Sequence, residues 1–153
     1  MVVCFTGHRR LSPDNIAEMA QRLSDRIESL CQVGDITFRA GGAQGFDTLA
    51  ALCVLVAREK YPHVKLHLLL PCKNQTEGWS DAEIEKYNYV LQNADFVRYV
   101  GEARTSHNML KRDRELVDGA DICIAYCNRT TGGTAYTISY AKSQGVRVEN
   151  IYI

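Results

Sequence analysis

Short apolar runs alternate with longer segments of helical periodicity along the whole chain. The runs lie at residues 2–6, 36–40, 65–70, 95–100, 121–126 and 147–151. Several are apolar almost throughout, which is typical of strands that are covered on both faces. Because each right-handed crossover carries its helix onto a face of the sheet, the pattern predicts a doubly wound α/β fold. We expect a mostly parallel sheet of about six strands with helices on both faces.

Residues that are typical of helix ends indicate where several of the predicted helices begin. Ser12 is expected to cap the first helix, with Pro13 at the first helical position and apolar residues recurring from Ile16 to Cys31. A capping-box pattern at Ser80–Glu83 predicts the start of the third helix. The second, fourth and fifth helices are predicted at about 44–60, 106–117 and 134–143. The second is apolar almost all round, including Val56, and a subunit interface in a homodimer is one explanation for that pattern.

Length and charge narrow the classes of function. The 153 residues predict one domain, 1–153, and Lys+Arg equals Asp+Glu at 18 each. A neutral chain lacks the basic excess typical of duplex-DNA binders, so the charge argues against a nucleic-acid partner. With no leader-like or membrane-spanning run, we expect a cytoplasmic protein with no membrane partner. The six cysteines contain no CxxC pair, so we expect reduced, buried thiols and neither a metal site nor a resident cofactor.

Unusual residues follow three of the predicted strands. In a doubly wound fold the loops at the carboxyl ends of the strands border the ligand crevice. Glycine turns before helices bring backbone N–H groups and the helix dipole toward an anion, and arginine adds a planar fork of donors. Asp47 could favour the helix N-terminus, hold a sugar hydroxyl or orient a neighbour. The residues that we expect to bind ligand here are Gly7, His8, Arg9, Gly41, Gly42, Gly45, Asp47, Gly132, Gly133 and Thr134.

Asp113 stands in the middle of an apolar stripe on the fourth helix. A buried carboxylate needs a partner, and Arg112 and Arg114 are expected to project from other faces, so the partner should come from elsewhere. Asp113 is then either a structural residue bonded to loop amides or a ligand contact in the crevice. Trp79, the single tryptophan, either closes over a base or ring of the ligand or packs before the Ser80 cap.

Taken together, these segments resemble the YpsA-like branch of the SLOG superfamily, Rossmann-like proteins grouped with the DprA and LOG families. The resemblance rests on CFTGHR, GGAQGFDTLAA, Pro71 with Gln75 and Trp79, MLKRDRELVDGADICIAY and TGGTAYTISYAKSQGV, in that order. It implies a nucleotide-derived ligand held by the glycine turns after the second and fifth strands. It also draws attention to Arg112 and Asp113.

One departure from the LOG enzymes concerns catalysis. Those enzymes release a base from a nucleoside monophosphate with a PGGxGTxxE motif whose glutamate is catalytic, whereas this chain reads TGGTAYTISY. The first hypothesis is therefore a sensing or regulatory module that binds a phosphate-bearing, nucleotide-like small molecule. The second is an N-glycosidic hydrolase or transferase that uses Asp113 or Asp47 as its carboxylate. The third, from the kinship with DprA, is a single-stranded DNA binder.

Overall fold

The computed structural model describes residues 1–152; Ile153, the last residue of the predicted domain, lies outside the described residues. Six strands and five helices alternate along these 152 residues. The elements are β1 Val2–Gly7, α1 Ile16–Cys31, β2 Ile36–Ala40, α2 Phe46–Lys60, β3 Val64–Leu70, α3 Asp81–Asn93, β4 Phe96–Tyr99, α4 Ser106–Val117, β5 Ile122–Tyr126, α5 Gly133–Ser143 and β6 Arg147–Asn150. None of these helices is both long and apolar enough to cross a bilayer.

All strand pairs are parallel, in the order β4-β3-β2-β1-β5-β6. The direction of strand addition reverses between β1 and β5, which is where an open α/β sheet forms its ligand crevice. Val3 and Phe5 of β1 point to one face and the alternating Cys4 to the other. The prediction of a Rossmann-like, doubly wound sheet of about six strands is confirmed.

Two apolar clusters of unequal size cover the faces of the sheet. The larger is built under α1, α2 and α3 around the stacked rings of Phe5 and Phe38, whose centroids are 5.6 Å apart. The smaller lies under α4 and α5 and contains Cys4, Cys123 and Ala141. All six cysteines are free; Cys53 is half-buried and the other five are buried, as expected of thiols that pack as small apolar groups.

The predicted start of α1 is wrong. The helix begins at Ile16, with Asn15 at the N-cap position, and Pro13 lies in the preceding turn. The amide of Ser12 donates to the Tyr126 hydroxyl at 3.3 Å, so the chain is still crossing the end of the sheet at the point where the local signal favoured a helix. Ile16 is correspondingly 41% exposed rather than part of the buried stripe.

Two other helices differ in detail from the prediction. In α2 the stripe is narrower than expected, because Val56 is 67% exposed while the buried face continues through Val54 and Leu55. In α3 the Ser80 hydroxyl accepts from the Glu83 amide at 3.3 Å, which confirms the cap. The carboxylate of Glu83 accepts instead from Lys86 at 3.3 Å.

Candidate functional site

A cavity of about 670 Å³ opens at the carboxyl ends of the strands, beside the reversal between β1 and β5. Its walls come from the β1–α1 loop, the start of α2, one face of α4 and the β5–α5 loop. Nine of the predicted site residues line it: Gly7, His8, Arg9, Asp47, Arg112, Asp113, Gly132, Gly133 and Thr134. The fold therefore brings together residues that lie more than a hundred positions apart in the chain.

Four predicted site residues lie outside that lining. Gly41, Gly42 and Gly45 lie in the turn between β2 and α2, and Trp79 packs edge-on against Tyr87 with ring centroids 5.6 Å apart. Trp79 also contacts the larger apolar cluster. Of the two roles considered for this residue, packing before the Ser80 cap is the one that its contacts support.

The β1–α1 loop is held tightly against α2. A Cβ on Gly7 would stand 2.4 Å from the Phe46 ring, and one on Gly45 would stand 2.2 Å from the Arg9 carbonyl oxygen. Gly45 also has a φ of +82°, which other residues rarely adopt. The amide of Phe46 donates to the His8 carbonyl at 3.1 Å. These contacts fix the Arg9 backbone at the rim of the cavity.

His8 is held as an acceptor. Its Nε2 accepts a hydrogen bond from the Asn128 amide at 3.0 Å, so a proton on the neutral ring must sit on Nδ1. Burial lowers the pKa of His8, and the nearby charge of Arg129 acts in the same direction. The ring is therefore neutral at pH 7, and it links the β1–α1 loop to the β5–α5 loop.

The floor of the cavity contains a buried arginine between two carboxylates. Arg112 is 5% exposed; its Nε donates to Asp113 Oδ1 at 2.8 Å and its Nη1 donates to the carbonyl oxygen of Gly41. Asp47 Oδ2 accepts from the Ala43 amide at 3.3 Å. The expectation that Asp113 finds its partner away from Arg112 is wrong: the Arg112 side chain turns toward its neighbour, because both charged groups are buried and a buried charge needs a partner.

Burial changes the protonation of both carboxyls. It raises the pKa of Asp47 to about 6, against the opposing effect of the Arg112 charge. Burial also raises the pKa of Asp113, again opposed by Arg112. Carboxyl groups of this kind, at the bottom of a polar cavity, occur at functional sites more often than elsewhere.

The N-terminus of α5 faces the cavity without a cap. Gly132 is the N-cap residue, with a φ of +99°, and no side chain caps the helix. No described residue accepts a hydrogen bond from the amides of Gly133 or Thr134, and a Cβ on Gly132 or Gly133 would meet nothing within 4 Å. Unpaired amides at the positive end of a helix dipole are suited to an anion.

Sequence reasoning left out several residues that line the cavity. Arg10 lies in the β1–α1 loop and Arg129 in the β5–α5 loop, and the guanidinium groups of both suit an anion as that of Arg9 does. Thr137 gave no such signal; its hydroxyl donates to the Gly133 carbonyl at 3.0 Å and also stands close to the Asp113 carboxylate. The further lining residues are Phe5, Thr6, Ala43, Ser106, Met109, Leu110, Leu116 and Thr131. Within residues 1–152, no group of three His, Cys, Asp or Glu side chains could hold a metal ion.

Comparison with known proteins places the chain in a family. The model of the YpsA family, described as the YspA SLOG family, matches residues 5–151. A UPF0398 protein from Oceanobacillus iheyensis is 33% identical over 88% of this chain and 78% of its own length. The uncharacterized SPbeta prophage-derived protein YoqJ of Bacillus subtilis is 29% identical over 79% of this chain and 81% of its own.

A solved structure has the same fold as this chain. DNA processing protein A from Helicobacter pylori, described with a single-stranded DNA binding mode, superposes with a TM-score of 0.70 at 19% identity. The alignment covers 97% of this chain but only 63% of that protein. At this identity the likeness shows the shared fold alone. The family match, by contrast, spans nearly the whole sequence, and the chain belongs to the YpsA family of SLOG proteins.

Proposed function

We propose that this protein binds a phosphate-bearing, nucleotide-derived small molecule in the cavity between the β1–α1 and β5–α5 loops, as a sensing or regulatory module. The observation that carries the proposal is the uncapped N-terminus of α5, with arginines around it. Gly133 and Thr134 offer unpaired amides there, and Arg9, Arg10 and Arg129 line the same cavity. Backbone amides, a helix dipole and guanidinium groups that converge on one space form a site for phosphate.

The charge of the cavity lining supports an anionic ligand. Four arginines line it, Arg9, Arg10, Arg112 and Arg129, against the carboxyls of Asp47 and Asp113. With both carboxyls ionised, the surplus is two positive charges, and His8 is neutral at pH 7. A phosphate monoester carries about 1.5 to 2 negative charges at that pH, which matches the surplus. The chain as a whole has no net charge, so the surplus is local to this cavity.

The size of the cavity is consistent with a nucleotide. A volume of about 670 Å³ falls in the range of about 300–1,000 Å³ that is usual for small-molecule sites. Met109, Leu110 and Leu116 form an apolar wall on α4, suited to a flat ring, while the polar groups lie at the α5 end and on the floor. The ligand would then fix its orientation through its phosphate and place its uncharged part against α4.

An enzyme acting at an N-glycosidic bond is the second candidate, because two carboxyls with raised pKa values lie in the cavity. The pKa of Asp47 is about 6, so its carboxyl group could transfer a proton near neutral pH. Two observations favour binding without turnover. Asp47 is 6% exposed and already accepts from the Ala43 amide, and the first turns of α5 contain no glutamate. Release of free base from a nucleotide, lost in Asp47→Asn or Asp113→Asn, would establish the enzyme instead.

Single-stranded DNA is the third candidate, on the likeness to DNA processing protein A. Such binding needs a basic groove that follows a backbone and aromatic side chains that stack on successive bases. The chain has zero net charge, and His8 is the only ring-bearing residue beside Phe5 in the cavity lining. Salt-sensitive binding of an oligonucleotide, stronger than that of a mononucleotide, would favour this candidate over ours.

Thermal unfolding with added nucleotides tests the proposal. A ligand at a hundredfold excess over its Kd stabilises the native state by about 2.7 kcal/mol, which corresponds to a rise of about 5–10 °C in Tm for a chain of this size. Arg129→Ala should reduce that rise, whereas Arg114→Ala should not, since Arg114 is exposed on α4 and lies outside the cavity lining. No shift with any mono- or dinucleotide at millimolar concentration would overturn the proposal.

A further inference from the structure

The buried floor of the cavity has a feature that an anion site alone does not need. A phosphate held by Gly133, Thr134 and the rim arginines gains nothing from nearby carboxylates, which repel it. Yet Asp113 and Asp47 both line the same cavity, and the side chain of Asp113 is 15% exposed. Two carboxyls at the bottom of a basic pocket suit a ligand that has a second, chemically different part.

The hydrogen bonds of the floor leave acceptor capacity on both carboxylates. Arg112 uses Oδ1 of Asp113, and the Ala43 amide uses Oδ2 of Asp47. An ionised carboxylate offers about four lone-pair sites and no donor. Arg112 supplies a counter-charge at 2.8 Å, so the floor is better suited to a neutral hydrogen-bond donor than to a second cation. The neutral donors that accompany phosphate in a nucleotide are the sugar hydroxyls and the amino or ring N–H groups of the base.

The anion end and the floor of the cavity are adjacent, as a phosphate and the sugar that carries it are adjacent in a nucleotide. Thr137 connects them: its hydroxyl donates to the Gly133 carbonyl at 3.0 Å at the anion end and stands close to Asp113 at the floor. One hydroxyl group therefore lies within hydrogen-bond distance of the first turn of α5 and beside the Asp113 carboxylate. A group bound at the α5 amides therefore has its directly attached sugar, rather than its base, beside Asp113.

From these contacts we propose that Asp113 recognises the ring hydroxyls of the sugar that carries the bound phosphate, and that the ligand is a ribose phosphate derivative rather than a 2-deoxyribose one. The inference rests on the proposed function of the cavity and deepens it. Asp47 is a positioning residue in this arrangement: it is 6% exposed and lies close to the Arg112 guanidinium that pairs with Asp113, so it does not itself need to touch the ligand. A charge-assisted hydrogen bond to a hydroxyl gives a preference of about tenfold to a hundredfold.

The experiment compares inorganic phosphate, ribose 5-phosphate and 2-deoxyribose 5-phosphate by calorimetric titration and thermal shift. These probes contain no base, so an unknown base specificity does not interfere. Asp113→Asn is the test variant, because its amide oxygen can still accept from Arg112 while an NH₂ replaces the second accepting oxygen. Glu115→Gln is the matched control: it makes the same chemical change on the same helix, but Glu115 pairs with Arg98 at 2.7 Å outside the cavity lining.

We expect wild type and Glu115→Gln to bind ribose 5-phosphate about tenfold or more tightly than the deoxy sugar. In Asp113→Asn that preference should fall at least about fivefold, while the affinity for inorganic phosphate should not fall. Equal binding of the two sugars by wild type, or an unchanged preference in Asp113→Asn, would overturn the inference and leave the anion site standing. If no phosphate compound binds at all, the proposed function fails. Should Asp113→Asn not fold, the wild-type ratio alone decides.

Discussion

Two glycine turns leave the same edge of the sheet, each before a helix, and the structure uses them differently. The turn before α2 is closed by its surroundings: Gly45 lies against the Arg9 backbone, the Ala43 amide is bonded to Asp47, and the Phe46 amide is bonded to His8. The turn before α5 is open, with free space at the Cβ positions of Gly132 and Gly133. Glycine therefore allows close packing in the turn before α2 and leaves space for a ligand in the turn before α5.

The difference follows from the neighbours of each turn in the sheet. β2 has a strand on each side, so the β2–α2 turn is surrounded by the loops after β1 and β3, and Gly42 would place a Cβ 2.3 Å from Leu70. β5 also has a strand on each side, β1 and β6, but β6 is the last strand of the sheet at that edge, and the β5–α5 turn faces the cavity. A glycine-rich turn before a helix thus indicates an anion site only when the space in front of it is empty.

The largest effect is expected from Gly45→Ala. The new methyl group would overlap the Arg9 carbonyl, and φ is +82°, so overpacking of about 1–3 kcal/mol and backbone strain of about 1–3 kcal/mol should add. Denaturant unfolding measures the loss of stability. Gly132→Ala is the matched control, because it has a similar φ of +99° and open space, and it should cost only the strain. Equal costs for the two variants would contradict the contrast between the turns.

Asp47→Asn should change how stability depends on pH. Because the folded pKa is about 6 and the unfolded value is 3.8, the native state binds the proton more tightly, and stability falls as pH rises from about 4 to 6. The difference amounts to about 3 kcal/mol at pH 7. Unfolding curves between pH 4 and 8 should show a flatter profile for the variant than for wild type. Parallel profiles would mean that Asp47 titrates normally.

Arg129→Ala tests the open turn through ligand affinity. The side chain is exposed, so the free energy of unfolding should change by less than about 0.5 kcal/mol. The affinity for a nucleoside monophosphate should fall about tenfold, since a charge-assisted contact contributes about 1.5–3 kcal/mol and salt partly screens an exposed one. Isothermal titration at two salt concentrations measures both effects, and wild-type affinity in the variant would remove Arg129 from the site.

No loss of stability is expected from Gly133→Ala. The residue has no positive φ and its Cβ would have nothing within 4 Å, so the variant should be as stable as wild type or more stable by up to about 1 kcal/mol. The same methyl group would stand where an anion approaches the α5 amides, so phosphate binding should weaken. Thermal unfolding with and without a nucleotide separates the two results. A stable variant with unchanged binding would place the anion elsewhere.

The elements of the fold were predictable because their signals are local. The pattern from Ser106 to Val117 gave the bounds of α4 correctly, and the apolar run 36–40 gave those of β2. The start of α1 was not predictable, because the bond from the Ser12 amide to Tyr126 joins residues 114 positions apart. The exposure of Val56 could not be read from its helix either, since it depends on what packs against α2.

The candidate site was predictable in its loops and not in its floor. The carboxyl ends of parallel strands border one crevice, which predicts that Arg9, Asp47 and Gly132 lie around the same cavity. All three line it. The partner of Asp113 was missed because adjacent residues on a helix normally diverge, and only the burial of both side chains turns Arg112 toward it. Sequence also could not distinguish the closed turn from the open one, because both contain the same glycines.

The strand order has a consequence for taking the molecule apart. β1 to β4 come from the first part of the chain and β5 and β6 from the last, and the exposed stretch 102–104 joins the two parts just before α4. Cutting there would leave two fragments whose reassociation rebuilds the β1–β5 pairing and brings Arg112 back to Gly41. A ligand that contacts both walls of the cavity would strengthen that reassociation by its own binding free energy. If the two fragments are fused to the halves of a reporter enzyme, the reporter activity should rise when a ligand strengthens their reassociation, and this activity can be used to screen for the ligand.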